Sequence, residues 1–390
     1  MDSFDLKNRL KAGYDKITGM LSGKDKTAIF GCGKIGLDLY PLVREYGLFG
    51  GFIDNDTEKQ KEGYRGEPVW SVKEYLSNNR NSFIVIAVSN TLTGEIRSEL
   101  ESYGLRYHKD FIYVNEYLNT VFPLISFYKY NRLFVELSQI CITERCTLKC
   151  VKCAHACNYV SKNGKDMPID MVKKSADIFF SYVDIVKEFV LIGGEPFLYK
   201  KLDEAIEYIG KRYRKKMIMF SITTNGTILP NNHLIELIKK YGVTLRISDY
   251  SYTIPSLKAA YDKLYNIINS IDYIVLDSEK EPWFDYGFGE VDNGTDEEKL
   301  RAVFKNCSTP CREIRGSKYY YCVMARSVAV NTGRDTGLDE YLALDRDMER
   351  EELLGYGMGY IPNGYLSMCR YCRGADMYDH PIRAAVQMQK

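Results

Sequence analysis

A chain of 390 residues that is 45% hydrophobic can bury more than one core, and its length corresponds to two or three domains. With 53 Lys and Arg against 52 Asp and Glu, the net charge is +1 and there is no long basic run, which argues against nucleic acid as a partner. The polar amphipathic start Met1–Leu10 is not a signal peptide and no apolar stretch has membrane length, so a cytoplasmic location without a membrane partner is expected; eleven cysteines in such a chain point to metal binding rather than disulfides.

In chain order, residues 1–23 read as an N-terminal helix and residues 24–117 as a nucleotide-fold domain. Lys26–Phe30 has the pattern of a buried strand, followed by Gly31-Cys-Gly33-Lys-Ile-Gly36 and a helix over 37–46. A second apolar run, 49–53, ends at Asp54; 82–88 is a third strand and 93–103 a further helix. Gly31, Gly33 and Gly36 between strand and helix allow a tight turn and close phosphate approach, and Asp54 after the next strand is placed to bind a ribose. The pattern predicts a Rossmann-like parallel sheet, and it fits a nucleotide holder and a bare scaffold equally. Residues 118–133, rich in tyrosine and containing Pro123, read as a linker.

Residues 134–300 alternate short β-rich runs with amphipathic helical stretches, the pattern of a parallel barrel whose sites gather at the C-terminal ends of its strands. After the first strand come Cys146, Cys150 and Cys153, spaced C-x3-C-x2-C. Cluster irons are normally held by one thiolate each, so this loop leaves one iron open to a ligand that is not protein. The alternative, a structural zinc site, normally pairs a C-x2-C with a second such pair. Three later strand ends carry Gly193-Gly-Glu-Pro196, Thr223-Thr-Asn-Gly-Thr227 and Ser248-Asp249. Taken alone, Gly-Gly-Glu-Pro is an ordinary strand-to-helix turn; its place in this series is what distinguishes it. The aromatic loop 281–289 suits either the mouth of a substrate site or a packed surface loop. Cys32 and Cys141 read as packed thiols. Cys157 reads as a packed thiol or as a hydrogen-atom donor facing the site, and His155 as a ligand contact or a locally bonded loop histidine.

Over residues 301–375 the cysteines return. Cys311, Cys322, Cys369 and Cys372 supply four thiolates, enough to close a site on zinc or on a second iron–sulfur cluster. Cys307 stands as the substitute for Cys311 or as a free thiol, and residues 376–390 read as a tail.

The Cys146–Cys150–Cys153 loop followed by these strand ends resembles the radical S-adenosylmethionine (SAM) superfamily, in which SAM chelates the fourth iron of a [4Fe-4S] cluster. The resemblance implies that Gly193, Gly194, Glu195 and Pro196 meet the methionine amine, and that Thr224, Asn225, Ser248 and Asp249 approach the ribose and carboxylate. The residue before the third cysteine, commonly aromatic in the family, is Lys152 here; its alkyl stem is expected to cover the adenine while its charge reaches solvent. The cysteines beyond residue 300 resemble the SPASM or shorter twitch extension, which implies one auxiliary iron–sulfur cluster of the [4Fe-4S] type. Residues 29–36 and 52–56 resemble Rossmann-like domains of sugar-modifying and polysaccharide-assembly enzymes. The expected architecture is α/β: an N-terminal Rossmann-like sheet, a partial (β/α)6 TIM-like barrel and a small C-terminal twitch-like α+β extension. The implied reaction is reductive cleavage of SAM to a 5′-deoxyadenosyl radical that removes a substrate hydrogen. The expected substrate is a small sugar-like molecule, nucleotide-linked, that is oxidised or epimerised, with flavodoxin or ferredoxin as electron donor. A peptide-modifying maturase is the alternative enzyme, and a non-catalytic metal-stabilised binding protein the alternative of another class.

Overall fold

The computed structural model describes residues 3–78, 81–89, 91–160, 166–307, 309, 311–332 and 340–389. The chain divides into two compact units, Asp2–Arg132 and Leu133–Lys390.

In the first unit, β1 (Lys26–Phe30), β2 (Phe49–Ile53), β3 (Val69–Trp70), β4 (Ser82–Ile86) and β5 (Phe111–Tyr113) form one sheet in the order β3-β2-β1-β4-β5. Every neighbouring pair is parallel. β1 is buried from Thr27 to Phe30, the continuous apolar run expected of a parallel strand covered on both faces. Ala28, Phe30, Ile53, Tyr75, Ile84 and Phe111 belong to one core cluster. The helix Ser3–Met20 belongs to this unit and buries Leu10 and Ile17. Residues 118–133, expected as a linker, are instead helical as far as Tyr130. Pro123 lies just after the π-helical turn Tyr117–Val121, which runs unbroken into the helix Phe122–Tyr130, and Phe122, Leu124 and Ile125 are buried. The buried apolar side chains anchor this helix to the first unit.

The second unit is built on β6 (Phe134–Thr143), β7 (Ile185–Gly193), β8 (Met217–Thr224), β9 (Val243–Asp249) and β10 (Tyr273–Asp277), each parallel to the next. Helices Ile169–Tyr182, Leu202–Tyr213, Asn232–Tyr241 and Lys258–Ile268 connect them. The third of these shows its sequence logic plainly. The Asn231 side chain accepts from the Leu234 N–H at its start, Leu234, Ile235, Leu237 and Ile238 are buried, and Gly242 ends it at a φ of 57°.

β11 (Trp283–Phe284) lies in the aromatic loop. Beyond residue 300, β12 (Arg312–Arg315) runs parallel to β6 on the edge away from β7, and β13 (Lys318–Tyr320) and β14 (Leu342–Ala343) follow it antiparallel. The extension thus continues the barrel's sheet, which has eight strands in the order β10-β9-β8-β7-β6-β12-β13-β14. Residues expected as a tail contain β15 (Pro381–Ile382), antiparallel to β11, and an antiparallel bridge from Gln387 to Cys150. Among the described residues no helix is long and apolar enough to cross a membrane.

Candidate active site

Cys146, Cys150 and Cys153 follow β6 and line one cavity of about 320 Å³, together with Gly193, Gly194, Asn225 and Ser248 from the ends of β7, β8 and β9. The two glycines are there for a geometric reason. A Cβ on Gly193 would stand 2.3 Å from the Thr143 carbonyl oxygen, and one on Gly194 2.3 Å from that of Arg145. The N–H groups of Gly194 and Glu195 donate to these carbonyls at 2.9 and 2.8 Å. The end of β7 is therefore joined to the cysteine loop by backbone contacts that a side chain would obstruct.

N–H groups surround the sulfurs. Leu148 N and Asn225 Nδ2 donate to Cys146 Sγ at 3.5 and 3.4 Å, and Gln387 Nε2 donates to Cys150 Sγ at 3.3 Å. Cys153 takes a hydrogen bond from the Cys157 thiol and others from the amides of Cys157, His155 and Ala156; despite burial, these hold it below the usual thiol value. Burial pushes Cys146 up to about 11 and Cys150 up to about 12. Among the described residues no three His, Cys, Asp or Glu side chains converge on a single metal ion. Three soft donors around a shared cavity, backed by N–H groups, fit an iron–sulfur cluster.

Not every residue expected at the SAM shell faces this cavity. Glu195 is fully buried, and its carboxylate accepts from Phe197 N at 3.0 Å, Thr224 Oγ1 at 2.8 Å and Asn225 N at 2.8 Å. It ties β7 to β8 from below. Pro196 opens the buried turn behind it, and Thr224 faces Glu195 while its neighbour Thr223 lines the cavity. Asp249 turns away and accepts from Tyr265 Oη and Ser251 N, at 2.8 and 2.9 Å. The strand's period of two explains this division: adjacent residues at a strand end face opposite sides. Tyr250, which the motif did not mark, is a lining residue, and Tyr261 Oη donates to the carbonyls of Asn225 and Ser248 to hold the two strand ends together.

The Lys152 ammonium does not run free into solvent. It pairs with Asp285 at 3.0 Å and with Glu290, both in or beside the aromatic loop. Pro282, Trp283, Phe284 and Tyr286 of that loop line the cavity, so the mouth reading of the loop describes its position. A second cavity of about 280 Å³ adjoins it, sharing Lys152, Cys153 and Tyr286 and adding Asp285, Phe288, Tyr159 and Thr332. Cys157 lines the first cavity, and its thiol is held well above the usual value by Cys153 and by burial. His155 lines it too, with Nδ1 buried without a partner in the structure. Burial pushes its imidazole down to about 4.

Beyond residue 300 the structure groups Cys307, Cys322, Cys369 and Cys372 around an apolar cavity with Tyr286, Phe304, Tyr321 and Met368. Cys311 is not among them. It is half-buried, and burial pushes its thiol up while Thr309 and the charges of Arg312 and Arg246 pull it down. The pairing of Arg312 with Ser138 fixes Cys311 at the head of β12, while Cys307 lies just past the helix Glu297–Lys305 and faces the other thiols. Cys307, rather than Cys311, lines this apolar space with the other three thiols.

In the first unit, Gly31 has a φ of 113°, and a Cβ on Gly36 would lie 1.9 Å from the Gly31 carbonyl oxygen, whereas Gly33 has open space. Asp54 accepts from Cys32 N at 2.7 Å, from Asp56 N at 2.9 Å and from Lys59 Nζ at 3.1 Å. Burial opposes its charge, but these bonds hold it below the usual carboxylate range. The carboxylate expected to reach a ribose is thus engaged within the turn.

Residues 140–273 match the radical SAM superfamily. The antilisterial bacteriocin subtilosin biosynthesis protein AlbA of Bacillus subtilis (strain 168) is 31% identical over 103 residues, 26% of this chain. The matched part spans only 20% of that protein's length. Among solved structures, BtrN in complex with AdoMet and 2-DOIA has a TM-score of 0.37 at 15% identity, covering 64% of this chain and 98% of that one. SuiB of Streptococcus suis bound to S-adenosylmethionine has a TM-score of 0.33 at 15% identity, covering 73% of this chain and 82% of its own. Likeness at that level carries no argument about function.

Proposed function

With residues 140–273 a radical SAM domain, we propose that this chain binds a [4Fe-4S] cluster and SAM in the Cys146–Cys150–Cys153 cavity and removes a hydrogen atom from a sugar-like substrate, oxidising or epimerising it. The observation that carries the reading is the convergence of three thiols, two glycines and the ends of four parallel strands on one cavity. When bound, the cluster and SAM supply the electron and the radical; the protein holds and shields them.

Cys146, Cys150 and Cys153 are the cluster ligands. The open backbone of Gly193 and Gly194 meets the amino-acid end of SAM, and Asn225, Ser248 and Thr223 its polar atoms. Glu195 is a positioning residue that fixes the Asn225 backbone. Tyr250, Trp283 and Phe284 give the adenine an apolar surface in place of the aromatic residue that Lys152 replaces, and Lys152 anchors that surface through Asp285. The adjoining cavity, with aromatic walls and the hydroxyls of Tyr159 and Thr332, suits a small hydroxylated ring. Cys307, Cys322, Cys369 and Cys372 would hold the auxiliary cluster, which would supply an electron acceptor for an alcohol oxidation. The nucleotide-fold pattern of the first unit is the ground for testing nucleotide-linked forms of the substrate, and a flavodoxin or ferredoxin is the proposed electron source.

A second reading, a peptide-modifying enzyme, is favoured by the local match to a protein named for bacteriocin biosynthesis. The test is 5′-deoxyadenosine formation by anaerobically reconstituted protein with SAM and dithionite, with Cys150→Ala as control. The wild type should form product and the variant none. Deuterated nucleotide sugars should pass deuterium into the product. Transfer from a precursor peptide but from no sugar would replace the first reading by the second, and an iron-loaded wild type that never cleaves SAM with any substrate would overturn both.

A further inference from the structure

Residues 380–388 run along three walls of the cysteine cavity. β15 pairs with β11, setting Ile382 opposite Trp283 and Pro381 opposite Phe284, and the His380 carbonyl accepts from Asp285 N at 3.0 Å. Arg383 then reaches the loop after β9, donating to the Tyr252 carbonyl at 2.9 Å and to Thr253 Oγ1 at 3.3 Å. Ala384 and Ala385 are buried. The chain next pairs antiparallel with the cysteine loop itself: Val151 N donates to the Val386 carbonyl and Met388 N to the Lys149 carbonyl, each at 2.8 Å.

Gln387 sits at the centre of this pairing, opposite Cys150. Its side-chain carbonyl accepts from Lys149 N at 2.8 Å, which settles which end of the amide is nitrogen. Nε2 then donates to the Ala385 carbonyl at 2.7 Å and to Cys150 Sγ at 3.3 Å. The amide is held by two backbone groups while its remaining N–H points at the sulfur. Bonds of this kind to ligating sulfurs are one of the means by which a protein sets a cluster's potential.

We propose that Gln387 is a positioning residue for the cluster: the 380–388 segment holds its amide against Cys150 Sγ, and this hydrogen bond raises the reduction potential of the cluster bound there. The inference rests on the cluster assignment given above. One-electron reduction adds negative charge that spreads onto the thiolates, so a donor at Cys150 favours the reduced form. Without the donor, reduction becomes harder and the potential moves negative.

The experiment compares reconstituted wild type, Gln387→Leu and Gln387→Glu. Each is titrated with dithionite, followed by the electron paramagnetic resonance of the reduced cluster, in a Cys322→Ala/Cys369→Ala background that removes the second cysteine group. Hydrogen exchange at the Val151 and Met388 amides reports whether the strand pairing survives. Leucine removes the donor without adding charge. Glutamate keeps the acceptor for Lys149 N but has no N–H to give the sulfur.

The expected result is a negative shift in both variants, about tenfold in the reduction equilibrium or 59 mV for one electron, with amide protection retained in at least one of them. A shift in the glutamate variant alone would mean added charge, not a lost donor, and would overturn the proposal. So would an unchanged potential in either variant, or a shift accompanied by lost protection in both. Wild type that binds no iron at Cys146, Cys150 and Cys153 would overturn the cluster assignment and this inference with it, an outcome separate from a cluster whose potential ignores Gln387.

Discussion

Glu195 shows how a residue picked by motif can act at one remove from the site. Its carboxyl is wholly buried, and burial pushes it up to about 7 from an ordinary 4.5, against the pull of the Phe197 and Asn225 amides and the Thr224 hydroxyl. A folded-state value above the unfolded one means that, between roughly pH 4.5 and 7, the folded chain keeps a proton the unfolded chain has released. That stabilisation is complete below the unfolded value and is lost as pH rises through the folded one. At 1.36 kcal/mol per unit it amounts to at most about 3 kcal/mol. Glu195→Gln cannot titrate. Urea unfolding at pH 5 and pH 7.5 should show the wild type losing stability relative to the glutamine variant as pH rises; parallel behaviour would show that the carboxylate stays ionised in the folded chain throughout.

Among the elements, the helix Val323–Thr332 is fixed to the sheet through a single buried cation. The Arg326 side chain, 2% exposed, lies 2.6 Å from Glu144 just past β6 and 2.8 Å from Glu313 in β12, which is 0% exposed. Removing one partner of such a group leaves a charge stranded in low dielectric. Arg326→Met should therefore destabilise the second unit by about 3–5 kcal/mol, and adding Glu313→Gln should recover part of the loss. Denaturant titration of the single and double variants measures both; additive losses would show that the two side chains are not coupled. The same helix packs Ala325 and Val328 against Ala156 and Met368, residues close in sequence to Cys153 and Cys369.

For the molecule as a whole, the division at Arg132/Leu133 has an energetic meaning. The first unit has its own five-stranded sheet and core, and helices at both ends of its sequence bury apolar side chains within it. A fragment of residues 1–132 should unfold cooperatively with a far-ultraviolet spectrum of mixed helix and strand. A fragment of residues 133–390 should still take up iron, because every cysteine outside Cys32 lies in it. A first fragment without a cooperative transition, or a second that binds no iron, would show that the units depend on each other.

Much of this was legible in the sequence, because the relevant physics is local. The strand runs at 26–30, 49–53 and 82–88, the glycine turn and the C-x3-C-x2-C loop rest on periodicity, backbone freedom and thiol spacing within a few residues, and the radical SAM resemblance rests on such motifs taken in order. What failed was whatever depended on which way a side chain turns, or on residues distant in the chain. Glu195, Thr224 and Asp249 carry the motif but face away from the cavity, since strand alternation is set by pairing. Cys307 and Cys311 are equivalent by spacing, and only the register of β12 against β6 separates them. Gln387 had no signal at all, lying 237 residues from the sulfur it meets. The sequence by itself determined the α/β class and the chemistry of the donors, which follow from residue type and local spacing. Only the tertiary structure decided which donors converge and what holds them there, because that depends on contacts between segments far apart in the chain.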